Sequence, residues 1–246
     1  MLKLMMYDLR RSKDLILGTF VVLILIQVGI FVAADVSNWD HESMLIMNLA
    51  AYIVGGMVLL FQACRTYNYN LKAYHRRLLP LREVYTVLSP LLMFFILLLG
   101  ITAMVLIHLG LYTLFDAGVL PTNLWSFAFL GLYLVHWSAC FQLILLLLAV
   151  TVTRSISIKG RKWIGIATFF VMQFGVNLIG RWIFGSVNYS FDSALQFELS
   201  DEASRSNGGV SVSGEAFPIL ATLFEVGVAV VVVYVITILI KRRMDA

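Results

Sequence analysis

The chain has 246 residues, of which 61% are hydrophobic and only 13% charged, with a formal net charge of +4 and two cysteines. So apolar a composition departs from soluble globular usage toward the membrane class. Two cysteines cannot make a disulfide-rich secreted scaffold, and the modest positive charge needs no nucleic-acid partner, because basic residues lying near anionic lipid head groups account for it.

In chain order, residues 1–14 read as an amphipathic helix lying in the membrane interface. Leu2, Met5, Met6 and Leu9 repeat at i, i+3, i+4 and i+7, while Lys3, Arg10 and Arg11 fall elsewhere on the wheel. Apolar runs follow at 15–34, 44–64, 89–113, 125–152, 163–185 and 217–240. Each has the roughly 20 residues or more that a helix needs to cross about 30 Å of hydrocarbon. A cleaved secretory signal is the other reading of Arg10 and Arg11 before the first run, but that run is longer than a signal core and five further runs follow it. The expected fold is therefore an all-α polytopic membrane protein, a single transmembrane domain over 1–246 with six spans.

Charge orients the spans. Lys3, Arg10, Arg11 and Lys13 precede the first, Arg65, Lys72, Arg76, Arg77 and Arg82 follow the second, Arg154, Lys159, Arg161 and Lys162 follow the fourth, and Lys241, Arg242 and Arg243 follow the sixth. The gaps at 35–43, 114–124 and 186–216 hold one basic residue, Arg205, beside many acids. The positive-inside rule then places both termini in the cytoplasm. Cys64, at the cytoplasmic end of the second span, and Cys140, within the fourth, are expected to be apolar packing residues outside any oxidising loop.

Between the second and third spans, Tyr67, Leu71, Tyr74 and Leu78 follow i, i+4, i+7 and i+11, with Lys72, His75, Arg76 and Arg77 mostly around the other side. This predicts a cytoplasmic helix over 67–79, apolar on one face and basic on the other, that Pro80 ends. Pro90 is expected in the first turn of the third span, where its missing N–H costs least. The outward gap 186–216 is long, and its stretch SRSNGGVSVSG is too polar and glycine-rich to pack a core, so a flexible extracellular loop is expected there.

Catalytic signatures are sparse. Gly209 and Gly214 have phosphate-loop spacing, but Glu215 stands where lysine is required; there is no H-E-x-x-H and no G-x-S-x-G. His108 and His136 stand alone in different spans, where a histidine more often serves as an interhelical hydrogen-bond donor than as a ligand. Gln173, Asn177 and Arg181 recur every four residues and form a polar stripe on the fifth span. Arg181 lies roughly 6 Å below the outer end of its span and Glu225 of the sixth span roughly 12 Å, so their long side chains are within reach of one another. The plainer reading has Gln173 and Asn177 joining helices while Arg181 snorkels to the outer head groups. These four are the candidate pathway or interhelical polar residues.

The order of parts resembles the permease subunit of type-2 ABC transporters: the basic start LKLMMYDLRRSKD, two spans, the segment NYNLKAYHRRLLPLREVY with an L-P-x-R-like turn at 79–82, then four spans with the longest outward loop before the last. The resemblance covers nearly the whole chain. It implies that the segment 69–79 is a coupling helix docking on a separate ATPase, carried by Tyr69, Asn70, Leu71, Tyr74, His75, Arg76, Arg77, Leu78 and Leu79. It implies further a cell-membrane exporter without an ATPase site of its own, partnered by ABC ATPase subunits and by a second permease, identical or not. No cofactor belongs to this chain, since ATP and Mg²⁺ are expected only in the ATPase. Two other classes are consistent with parts of the sequence. An accessory, immunity or sensor protein binding a peptide without transport would depend on the outward loop, and a membrane-embedded enzyme would have only Glu225, His108 and His136 as raw material.

The charge asymmetry makes the topology testable. Cysteines introduced at Ser37, Asn123 and Ser206 should react with impermeant thiol reagents added to intact cells, and ones at Ser12, Tyr74 and Ser157 should react only after the membrane is opened. Labelling of Tyr74→Cys from outside would contradict the assignment.

Overall fold

A computed structural model describes residues 2–37, 39, 41–72, 83–115, 124–156, 161–184, 196–198, 211–213 and 219–244. They form six long helices: α1 (Leu2–Ser37), α2 (His41–Lys72), α3 (Glu83–Phe115), α4 (Leu124–Ser155), α5 (Arg161–Phe184) and α6 (Ile219–Met244). All six are long and apolar enough to cross a membrane. The spanning part of the fold is thus all-helical and multi-pass, because hydrocarbon offers a backbone no hydrogen-bonding partner outside its own helix. Before α6 lies a two-stranded antiparallel ribbon, β1 (Gln196–Glu198) on β2 (Ser211–Ser213), with Phe197 opposite Val212. β2 falls within the polar stretch expected to be an irregular loop; pairing three residues with three uses backbone groups and needs no packed core.

The chain divides into two compact units, Met1–Val105 and Leu106–Ala246, with the division inside α3. In the first, α1 and α2 form a close antiparallel hairpin. The Trp39 N–H closes the last turn of α1 on the Ala34 carbonyl at 3.0 Å, a six-to-one bond of the kind that stops helices. Gly55 admits α1 at this crossing, since a Cβ there would stand 2.2 Å from Leu23 Cδ1. α3 adds Val87, Met93, Phe94 and Ile101 to the core, and Gly100 faces the Phe20 ring. In the second unit α4 packs on both α5 and α6, with Leu143, Leu145 and Leu147 fully buried. Here Gly165 brings α5 onto α4, where a Cβ would meet Thr153 Oγ1 at 1.9 Å and the Ala149 carbonyl at 3.1 Å.

Large apolar side chains cover the outer surfaces, as lipid-facing helices require. On α5, Trp163 and Trp182 are 76% and 87% exposed near its two ends. Nineteen helical residues separate them by about 28 Å, close to the hydrocarbon thickness, so they stand where aromatic belts form.

Three expected boundaries are corrected. The segment 1–14 is not a separate interfacial helix: its described residues are the opening turns of α1, a single helix of 36 residues. Tyr67 to Lys72 do not begin a cytoplasmic helix but end α2, which has 32 residues; Tyr74, His75, Arg76, Arg77, Leu78 and Leu79 lie outside the described residues. Pro90 is not in the first turn of α3, which begins at Glu83, so Pro90 sits inside the helix and leaves the Thr86 carbonyl without its usual donor. The reason is common to all three. Basic and polar residues end the hydrocarbon stretch without ending the helix, which continues until a proline, a glycine or a capping geometry stops it.

Candidate functional site

Helices α1 and α2, at about 54 and 48 Å, exceed the hydrocarbon thickness by roughly 24 and 18 Å. Their excess lies at the basic end of the first unit, together with the start of α3. There the buried faces turn polar. Asp8 and Ser89 are fully buried, and Asn70, Gln62 and Thr66 nearly so. Asp8 Oδ2 accepts from Asn70 Nδ2 at 3.0 Å and from Ser89 Oγ at 3.0 Å, so one carboxyl group joins three helices. One turn along, the Arg11 guanidinium lies 3.2 Å over the Tyr69 ring, and Gln62 Nε2 reaches the Ser12 carbonyl at 3.5 Å. Helical spacing produces this set: Asp8, Ser12 and Ile16 follow Met5 on one face of α1, and Asn70 lies two turns from Ala63 and one from Thr66 on α2.

Of the residues expected to form the coupling helix, Tyr69 and Asn70 are thus engaged with α1, and Leu71 is half-buried at the end of α2. Asp8 was the residue missed. Its signal was an acid on the helical face of Met5, Ser12 and Ile16, among basic residues that lie elsewhere on the wheel. Further along the hairpin, Gln27 and Asn48 stand on the mutually facing stripes of α1 and α2 with buried carboxamide atoms that have no hydrogen-bond partner among the described residues.

The second unit splits the expected polar stripe. Gln173 Oε1 accepts from Gln142 Nε2 of α4 at 3.2 Å, whereas Asn177 and Arg181 are exposed. Glu225 takes a different partner from the one expected: the Trp137 indole N–H donates to its Oε2. No ion pair joins Glu225 to Arg181 among the described residues. Arg181 adjoins Trp182 near the end of α5 and is exposed, an arrangement that a snorkelling side chain requires. Trp137 was not singled out from sequence, although an indole N–H in mid-span, far from an interface, requires an acceptor. The Nδ1 of His136 lies 2.7 Å from the Leu132 carbonyl of its own helix. Both cysteines are free thiols. Among the described residues, no three His, Cys, Asp or Glu side chains gather closely enough to hold a metal ion.

No family model, curated protein or solved structure matches the chain.

The Asp8 tie has a measurable strength. Asp8→Ala leaves two buried donors without an acceptor and should destabilise the first unit by about 1–3 kcal/mol, with Ser89→Ala costing less. Since both changes break one network, Ser89→Ala should add little in the Asp8→Ala background, which a double-mutant cycle of unfolding in detergent measures. Additive effects would mean that the three groups do not act together.

Proposed function

We propose that the chain is the membrane permease subunit of an ATP-driven ABC exporter of the type-2 kind. It works in the cell membrane with a second permease, identical or not, and with separate ATPase subunits that bind ATP and Mg²⁺, and its basic end faces the cytoplasm. The reading starts from the resemblance in the order of parts. The observation that supports it is the three-helix tie at Asp8. The connector 73–82, with Arg76, Arg77 and Arg82, runs between the end of α2 and the start of α3. A partner that pushes on this connector pushes on two helices that share a buried hydrogen-bonding centre with α1, so the displacement passes to the spans as a rigid movement.

Such a subunit needs no catalytic centre. ATP binding and hydrolysis in the partner supply the free energy, and the permease has two arrangements whose balance the partner shifts. Tyr74 and Leu78, on the expected apolar face of the connector, are the anchors for docking, and the neighbouring arginines meet acidic groups of the ATPase.

Purification of the chain from its native membranes in mild detergent should retain a soluble ATPase whose turnover the chain stimulates. Tyr74→Asp with Leu78→Asp should abolish retention and stimulation while helix content and monodispersity stay at wild-type values. Unchanged stimulation in the double variant, or no retained ATPase with the wild-type chain, would contradict the proposal.

A further inference from the structure

We infer that Glu225 and Trp137 form a binding site for an organic cation, an amine or quaternary ammonium carried on an apolar body. Glu225 lies within the apolar sequence of α6 and is only partly exposed, and an ionisable side chain in such a place is retained where something compensates it. Among the described residues its hydrogen-bond partner is the neutral Trp137 N–H, which orients the carboxyl group and brings no opposite charge. No lysine, arginine or histidine pairs with it among the described residues, and Arg181, whose depth in its span suggested a pairing, is exposed on α5. Among the described residues no basic side chain offsets a charge on Glu225, and a bound cation would do so.

The surroundings select the kind of cation. A hard metal ion needs several oxygen ligands, and no group of three acids, cysteines or histidines stands here among the described residues. Aromatic rings are present instead. Trp137 contacts the carboxylate directly, and Phe224, the neighbour of Glu225, meets Phe184 of α5 edge-on at 5.9 Å. A carboxyl group with an indole edge on it and aromatic rings nearby, within an apolar helix, matches a cation of low hydration energy whose substituents are apolar. Glu225 and Trp137 are both partly exposed, so the site can be entered. Further along α4, the Gln142–Gln173 pair offers neutral donors and acceptors to the rest of such a molecule.

The inference names the substrate class of the proposed permease and rests on that reading only for the cation being cargo. Binding is measured on the chain alone, without ATPase, so failure of coupling and failure of cation binding are separate results. Tetraphenylphosphonium and tetraphenylborate have the same shape and opposite charge. The purified chain in detergent should bind tetraphenylphosphonium saturably and tetraphenylborate only by partition. Glu225→Gln should weaken the cation at least about tenfold. Trp137→Leu should weaken it about three- to tenfold, and Asp14→Asn, which removes an exposed acid of α1, should leave it unchanged. Should Glu225→Gln fail to fold, the wild-type chain still decides. Bound tetraphenylphosphonium should protect Glu225 from modification by dicyclohexylcarbodiimide, read by mass spectrometry of its peptide, and tetraphenylborate should not. Equal binding of the two ions, wild-type affinity in a folded Glu225→Gln variant, or modification of Glu225 indifferent to the cation would overturn the inference.

Discussion

The hydrogen bonds that Asp8 accepts from Asn70 and Ser89 tie three helices together at the end of the first unit where the buried faces turn polar. Within hydrocarbon, each helix satisfies its own backbone, and helices associate by close contact at small residues, as at Gly55 and Gly165. Toward the basic end of the first unit the buried faces mix apolar side chains such as Met5, Tyr67 and Val87 with Asp8, Asn70 and Ser89, so directional bonds join close packing there. A buried carboxyl group with two donors from two other helices fixes their relative positions through direction as well as attraction. The Arg11–Tyr69 contact closes the same junction one turn away.

The second unit solves a related problem differently. Two pairs of polar side chains lie within the apolar lengths of its helices and join α4 to its neighbours, Trp137 with Glu225 and Gln142 with Gln173. Each pair satisfies polar atoms that would be costly alone in hydrocarbon. Only the Glu225 pair contains an ionisable side chain, and this separates a structural contact from a candidate site. The proposed division of labour follows from that difference: the first unit carries a mechanical junction beside the basic connector, and the second carries recognition chemistry.

Much of the architecture was legible in the sequence because hydropathy over about 20 residues is the strongest signal a membrane chain carries. The cores of all six helices lie where the apolar runs lie. What hydropathy could not give was where helices stop. Lys72 and Glu83 are polar, yet they remain helical, so segments read as connectors became extensions of spans. The polar stripe on α5 was legible as a stripe but not as to partners. Spacing puts Gln173, Asn177 and Arg181 on one face and says nothing about which of them meets α4. Asp8 and Trp137 were hidden for a similar reason, since each gains its meaning from residues more than sixty positions away in the chain.

Backbone hydrogen exchange tests most directly whether the Asp8 centre unites three helices. In Asp8→Ala, amide exchange should rise together in the first turns of α1 around Asp8, in the last turn of α2 around Asn70 and in the first turns of α3 around Ser89, because all three segments lose the same anchor. A rise confined to α1, with α2 and α3 exchanging as in the wild type, would contradict the account.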